Sequence, residues 1–120
     1  KPVNDVTRSF HTCRAAGSGF TFDIQADSHL DVSTDAKVYQ QTLANILADK
    51  PDFMIDLGDT TMVDKFDDYK ALAEAQYRAQ RYYIGSVAHS VPVMMTLGNH
   101  DGEQGFRLTG EADSTAVGAK

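Results

Sequence analysis

Residues 91–101 read VPVMMTLGNHD, an apolar run followed at once by polar residues, and this stretch decides the fold. The run over residues 91–97 is apolar except for Thr96, which predicts a short strand covered on both faces of a sheet. A glycine then favours a sharp turn, and Asn99 and His100 stand where the strand stops. The stretch therefore predicts a buried strand with metal-capable side chains at its carboxyl end.

Two earlier stretches have the same order of strand and polar cluster. Residues 20–26 are rich in aromatic and β-branched residues, and an Asp-Ser-His sequence carrying Asp27 and His29 follows them. Residues 53–57 form a second short apolar run, and a Gly-Asp sequence carrying Asp59 follows it. Carboxylate and imidazole together suit Zn, Mn or Fe better than Ca, which prefers oxygen ligands.

The segments between these strands have helical periodicity. Ser33, Thr34 or Asp35 can accept the unpaired N–H groups at the start of the first helix. Pro51 ends that helix. Its buried face is predicted from apolar positions at helical spacing, namely Val38, Tyr39, Thr42, Leu43, Ile46 and Leu47. A second helix is predicted over residues 65–87.

Strand, helix, strand, helix, strand is the order of right-handed parallel crossovers. We therefore predict an α/β fold with three mainly parallel strands alternating with two helices. Parallel strands place their carboxyl ends on one edge of the sheet, which is where ligands bind in open α/β sheets. The three polar clusters should meet there in one composite site.

Within that site the residue types suggest different tasks. Asp27 and His29 alternate across an extended backbone, so their side chains can point to the same side with Ser28 turned away. The carboxylate of Asp59 can bridge two ions about 3.5–4 Å apart. Taken alone, however, an Asp-Ser-His sequence is more often a capped turn, and Gly-Asp is usually only a turn.

The last cluster supplies two further candidates. Asn99 offers a neutral amide oxygen as a metal ligand. His100 should face the other way, toward whatever the ions hold, as a proton donor to a leaving oxygen or as a charge stabiliser.

Composition limits the alternatives. The 120 residues are enough for one modest domain, and the formal net charge of -6 argues against a wide surface for nucleic acid or anionic membrane. No stretch is long and apolar enough to span a bilayer. The single cysteine, Cys13, excludes a disulfide framework within the chain.

The three clusters, in this order, resemble the signature of the calcineurin-like metallophosphoesterases, which runs Asp-x-His, Gly-Asp and Gly-Asn-His-Asp/Glu. The resemblance implies that Asp27 and His29 bind a first metal, Asp59 bridges both, Asn99 binds the second and His100 assists the leaving group. It also implies two divalent or trivalent ions (Mn, Fe or Zn) and a phosphate-ester small molecule as substrate. The implied reaction is attack of a metal-bound hydroxide on that ester at a dinuclear site.

Two departures from the family pattern shape this expectation. Met62 stands where purple acid phosphatases have a tyrosine ligand and phosphoprotein phosphatases an aspartate, which argues against both branches. No histidine follows His100, although the family completes its site with later histidines. We therefore expect the chain to hold the N-terminal half of an α/β/β/α sandwich, with residues 20–120 as a partial catalytic domain whose remainder is missing.

Residues 1–19 are interpreted as the tail of an upstream β domain, with a strand over residues 6–12, followed by a linker. This resembles the β-sandwich that precedes purple-acid-phosphatase-like catalytic domains, and a parent of that kind would be secreted or periplasmic. We expect the 120 residues alone to bind metal weakly and to show little or no turnover.

Two alternatives stay open at this point. The first is a non-catalytic α/β binding module in which the polar strand ends are only turns and caps. The second is a nucleotidase or cyclic-nucleotide phosphodiesterase, which would share the metal site and differ in the pocket.

Overall fold

The computed structural model describes residues 8–31, 33–62 and 69–101. Strands and helices alternate along them in the order β1 (Phe22–Gln25), α1 (Ala36–Asp49), β2 (Phe53–Asp56), α2 (Tyr69–Ala88) and β3 (Val93–Met95). The strands form one sheet in the order β1-β2-β3, and both neighbouring pairs are parallel. This confirms the predicted α/β fold of three parallel strands and two helices.

The register of the sheet aligns the ends of the strands. Gln25 is paired with Asp56, and Asp56 is paired with Met95. Each of these three residues is the last of its strand. The segments that follow the three strands therefore leave the sheet at the same edge, as expected for parallel crossovers.

Helix α1 begins and ends where the sequence predicts. Of the three candidate capping residues, Asp35 is the N-cap, and its Oδ1 accepts hydrogen bonds from the backbone N–H groups of Lys37 and Val38 at 2.9 and 3.3 Å. The helix is followed by Lys50 in the left-handed conformation (φ 51°), a common helix ending, and Pro51 comes next.

The hydrophobic core lies between the two helices and one face of the sheet. Its most buried members, each 0% exposed, are Leu43 from α1, Met54 from β2 and Val87 from α2. Burying an apolar side chain of this size stabilises the fold by about 1.5–3 kcal/mol. The core thus fixes both helices on one side of the sheet.

The opposite face of the sheet is apolar and exposed. Phe22, Ile24 and Met94 are 43%, 56% and 52% exposed. Within the described residues, the prediction that residues 91–97 form a strand covered on both faces is wrong, because there only one face of β3 (Val93–Met95) is packed, against the helices. An apolar run shows what a strand is able to bury, whereas the packing partners decide what is buried.

The buried stripe of α1 is narrower than predicted. Tyr39, Leu43 and Ile46 are buried, but Val38 is 62% exposed and Thr42 is exposed as well. The helix meets the core along one row of side chains, so the positions adjacent to that row remain in contact with solvent.

The N-terminal segment differs from its prediction. Residues 8–12, the described part of the strand predicted over residues 6–12, form no strand and are exposed. The segment is tied to the sheet by Arg14, whose Nε donates to Asp52 Oδ1 at 2.6 Å. Residues 65–68 of the second predicted helix lie outside the described residues.

No helix in the described part of the chain is apolar over a length that would cross a membrane.

Candidate metal centre

The polar segment after β1 runs alongside the one after β2. The backbone N–H groups of Asp27 and His29 donate to the carbonyl oxygens of Gly58 and Asp59 at 3.0 and 3.1 Å. A third such bond, at 3.1 Å, joins the Leu30 N–H to the Thr60 carbonyl. The parallel pairing thus continues past the strands and carries their candidate ligands into one place.

Three of the predicted ligands form a cluster. Asp27, His29 and Asp59 each offer one ligand atom, and these atoms all lie within 4.8 Å of one another. Nε2 of His29 is 3.3 Å from Oδ1 of Asp27. The structure therefore brings these three side chains together, as predicted.

The backbone at this cluster is left-handed. The φ angles of Asp27, His29 and Asp59 are 55°, 43° and 53°. Lys50 is the one further non-glycine residue with positive φ among the described residues. The prediction that Asp27 and His29 alternate across an extended backbone is wrong in this respect, although their side chains do converge. Such conformations cost energy, and in native proteins they concentrate at functional sites.

The donor set fits a metal ion. Nε2 of His29 is buried and makes no hydrogen bond, and its neighbour Asp27 Oδ1 lies close by without hydrogen-bond geometry. A buried polar nitrogen left without a partner is costly unless something binds it. Imidazole nitrogen with two carboxylates is a set that Zn, Mn and Fe accept.

His100 is placed beside the cluster. Its backbone N–H donates to Asp59 Oδ1 at 2.8 Å, and its ring lies edge-on to the His29 ring at a centroid distance of 6.0 Å. Asn99 precedes it in the same loop and is exposed. Both remaining predicted site residues therefore belong to the loop that contacts Asp59.

Asp101, to which no task was assigned from the sequence, is central to the hydrogen bonding of these loops. Asp101 is 4% exposed, and its carboxylate accepts hydrogen bonds from backbone N–H groups of the loops after β2 and β3. Burial pushes the pKa of Asp101 upward, but the N–H groups of Thr61, Gly98 and others favour the charged form and hold the pKa below its ordinary value. Its position directly after the Gly-Asn-His sequence indicates that Asp101 belongs to the site. That position does not reveal the hydrogen-bond donors, which are distant in sequence.

A second buried carboxylate belongs to Asp56, the last residue of β2. It is 0% exposed, and burial raises its pKa even though Gln25 Nε2 donates to it at 2.7 Å and Gly58 N–H at 3.0 Å. The negative charge of Asp101 raises it further. Through its hydrogen bond from the Gly58 N–H, Asp56 thus stabilises the turn at Gly58.

Two glycines let the loops touch. Gly58 has φ +96°, and a Cβ there would overlap the backbone of Gly98. A Cβ on Gly98 would in turn overlap Asp59. The two Gly positions of the motif are therefore needed for close approach of backbone to backbone.

Two neighbouring features complete the surroundings. Ser28 lines a groove of about 320 Å³ between the end of β1 and the start of α1. Met62 is 0% exposed.

Comparison with known proteins gave one finding. A protein-family model described as Calcineurin-like phosphoesterase matches residues 20–117, which include all three polar clusters. No curated protein and no solved structure matched the chain.

Proposed function

The chain belongs to the calcineurin-like phosphoesterase family, and on that premise we propose that, together with the rest of its catalytic domain, it hydrolyses small phosphate esters at a centre for two metal ions. The family generally acts on phosphate esters with divalent metal ions. The dinuclear centre and the role of each residue are our proposal.

One observation carries the proposal, namely the convergence of Asp27, His29 and Asp59 within 4.8 Å on left-handed backbone. A protein has little reason to keep three strained residues together unless their side chains have a task. We assign Asp27 and His29 to one ion, Asp59 to both ions and Asn99 to the second.

When bound, the ions would supply positive charge to the phosphoryl oxygens and lower the pKa of water. The chain itself supplies the metal ligands and positions His100. The backbone of His100 is fixed by Asp59, and the His100 ring lies next to that of His29. This placement supports a role for His100 as proton donor to the leaving oxygen or as stabiliser of its charge.

We also propose that residues 20–120 are part of a larger catalytic domain and that further ligands come from elsewhere. The exposed apolar face supports this, because the rings of Phe20, Phe22 and Phe53 stack on it at centroid distances of 5.3 to 6.0 Å. Stacked aromatic rings on an open sheet face suit a further layer of structure. Robust hydrolysis of p-nitrophenyl phosphate with Mn²⁺ by the 120 residues alone would overturn this part of the proposal.

The test of function uses the full-length protein. Wild type should hydrolyse p-nitrophenyl phosphate when Mn²⁺ is added and lose that activity in a chelator. Asn99→Ala should abolish hydrolysis, whereas Asn45→Ala, at an exposed position of α1, should leave it unchanged. Activity that persists in the chelator and in Asn99→Ala would contradict the proposal.

A further inference from the structure

The carboxylate of Asp101 joins two loops that are distant in sequence. Its Oδ2 accepts from Asp59 N–H at 2.6 Å and from Gly98 N–H at 2.7 Å. Its Oδ1 accepts from the N–H groups of Thr60 and Thr61 at 2.8 and 2.9 Å. Three of these four donors lie 40 to 42 residues away, so this is not the local capping that an aspartate in a turn usually provides.

The hydroxyl groups of the same two threonines strengthen the arrangement. Thr60 Oγ1 and Thr61 Oγ1 donate to Asp101 Oδ1 at 3.1 and 3.2 Å, and both residues are buried, at 4% and 2% exposure. Hydrogen bonds to a charged acceptor in a site shielded from water are the stronger kind. A carboxylate surrounded in this way fixes the backbone of every residue that donates to it.

The carboxylate of Asp59, in turn, binds the backbone of the loop that carries Asp101. Its Oδ1 accepts from the backbone N–H of His100 at 2.8 Å, so each aspartate binds the backbone of the other's loop. The Asp101 carbonyl is also held, because Tyr77 Oη on α2 donates to it at 3.0 Å. The paired loops are thus tied to each other and to a helix of the core.

We propose that Asp101 is a positioning residue for hydrolysis: with Asp59 it forms a reciprocal clamp that fixes the Asp59 carboxylate and the His100 ring relative to each other. The catalytic consequence rests on the function proposed above, while the clamp itself stands on geometry. A carboxylate and a proton donor that must act on one phosphoryl group lose efficiency when their spacing varies by about 1 Å.

Asp101→Asn in the full-length protein tests the clamp. The amide keeps the shape but replaces one acceptor oxygen with an N–H₂ group that faces N–H donors. At saturating Mn²⁺ we expect kcat on p-nitrophenyl phosphate to fall roughly 10–100-fold with little change in KM, as for residues that orient a ligand. Amide hydrogen exchange at residues 59–61 should accelerate, which is a readout independent of activity.

The control is Asp52→Asn, because Asp52 also accepts a backbone N–H, from Thr21 at 2.9 Å, but lies at the other end of β2. It should lower thermal stability without changing kcat. If Asp101→Asn does not fold, Thr60→Val and Thr61→Val each remove one hydroxyl donor and should lower kcat in the same direction by a smaller factor.

The outcomes separate the two proposals. Suppose that amide hydrogen exchange at residues 59–61 is faster in Asp101→Asn than in wild type, but that the wild type hydrolyses no phosphate ester. That result would refute the proposed function and support the clamp as a structural feature. A folded Asp101→Asn, or folded threonine variants, with wild-type kcat and wild-type exchange would overturn the clamp.

Discussion

The two sides of the site are held in different ways. Residues 58–61 and 98–101, the clamped side, fix each other through two carboxylates, and one of these, Asp101, is 4% exposed. Residues 27–29, the exposed side, are joined to the clamped side by backbone hydrogen bonds at 3.0 and 3.1 Å. Their aspartate and histidine side chains are 65% and 40% exposed.

This difference shows a division of tasks between similar side chains. The Asp101 carboxylate satisfies backbone donors and thereby makes its loops rigid. The side chains of the exposed side have no backbone donors of this kind among the contacts described above, and the imidazole leaves a buried nitrogen without a hydrogen bond. The clamped side therefore fixes the geometry around Asp59, whereas the exposed side contributes Asp27 and His29 side chains that such backbone donors do not engage.

The largest expected effect comes from Gly58→Ala, which breaks the clamped side. The new Cβ would meet the Gly98 backbone and force a left-handed φ on alanine. We expect a loss of about 2–5 kcal/mol in the free energy of unfolding, together with loss of metal binding. Urea unfolding measures the first and calorimetric titration with Mn²⁺ the second.

Gly85→Ala is the matched control, because nothing lies within 4 Å of a Cβ at that position in α2. It should stabilise the fold by roughly 0.5–1 kcal/mol and leave metal binding intact. Equal destabilisation by both substitutions would mean that the close contact of the two loops has no energetic importance.

On the exposed side, His29→Gln should weaken metal binding without destabilising the fold. Because the side chain is partly exposed, the free energy of unfolding without metal should change by less than about 0.5 kcal/mol. The Mn²⁺ affinity should nevertheless fall by more than the roughly 10–100-fold typical of residues that only orient a ligand. A variant that loses stability but binds Mn²⁺ like wild type would reverse the assignment of the two sides.

The pH dependence of stability tests the buried carboxylate of Asp56, at the end of β2 next to the clamped side. Burial raises the pKa of Asp56 above its ordinary value of 3.8, so the folded protein holds this proton more tightly than the unfolded chain does. The contribution of Asp56 is therefore most favourable below that value and declines as the pH rises through the raised pKa. Urea unfolding from acid to neutral pH should show Asp56→Asn gaining on wild type over this window, whereas parallel curves would contradict the raised pKa.

The smallest effect is expected for Val38→Ala, in the groove next to the exposed side. Val38 is 62% exposed, and its substitution should change the free energy of unfolding by less than about 0.5 kcal/mol. Metal affinity and hydrolysis should match wild type. A marked change in hydrolysis would show that the groove belongs to the site.

The order of the elements and the meeting of the clusters were predictable from local patterns. The strand-like runs over residues 20–26 and 53–57, separated by a helix with a candidate capping aspartate, allow few arrangements other than parallel strands with aligned ends. Asp27, His29 and Asp59 follow such runs directly, so their convergence needed no knowledge of distant contacts.

What could not be predicted depends on partners that are remote in sequence. The role of Asp101 comes from donors 40 to 42 residues away, and the exposure of Met94 depends on what packs against β3. The left-handed backbone at Asp27 and His29 was also missed, although Asp and His adopt this conformation more readily than most residues.

The most direct test of the metal centre is the metal content of the full-length protein, measured by mass spectrometry after dialysis with Mn²⁺, for wild type and Asp59→Asn. The substitution keeps an oxygen that can accept from His100 N–H, so the fold should change by less than about 1 kcal/mol. We expect bound metal and phosphate-ester hydrolysis in wild type and the loss of both in Asp59→Asn. Hydrolysis by a metal-free wild type, or unchanged metal content in the variant, would contradict it.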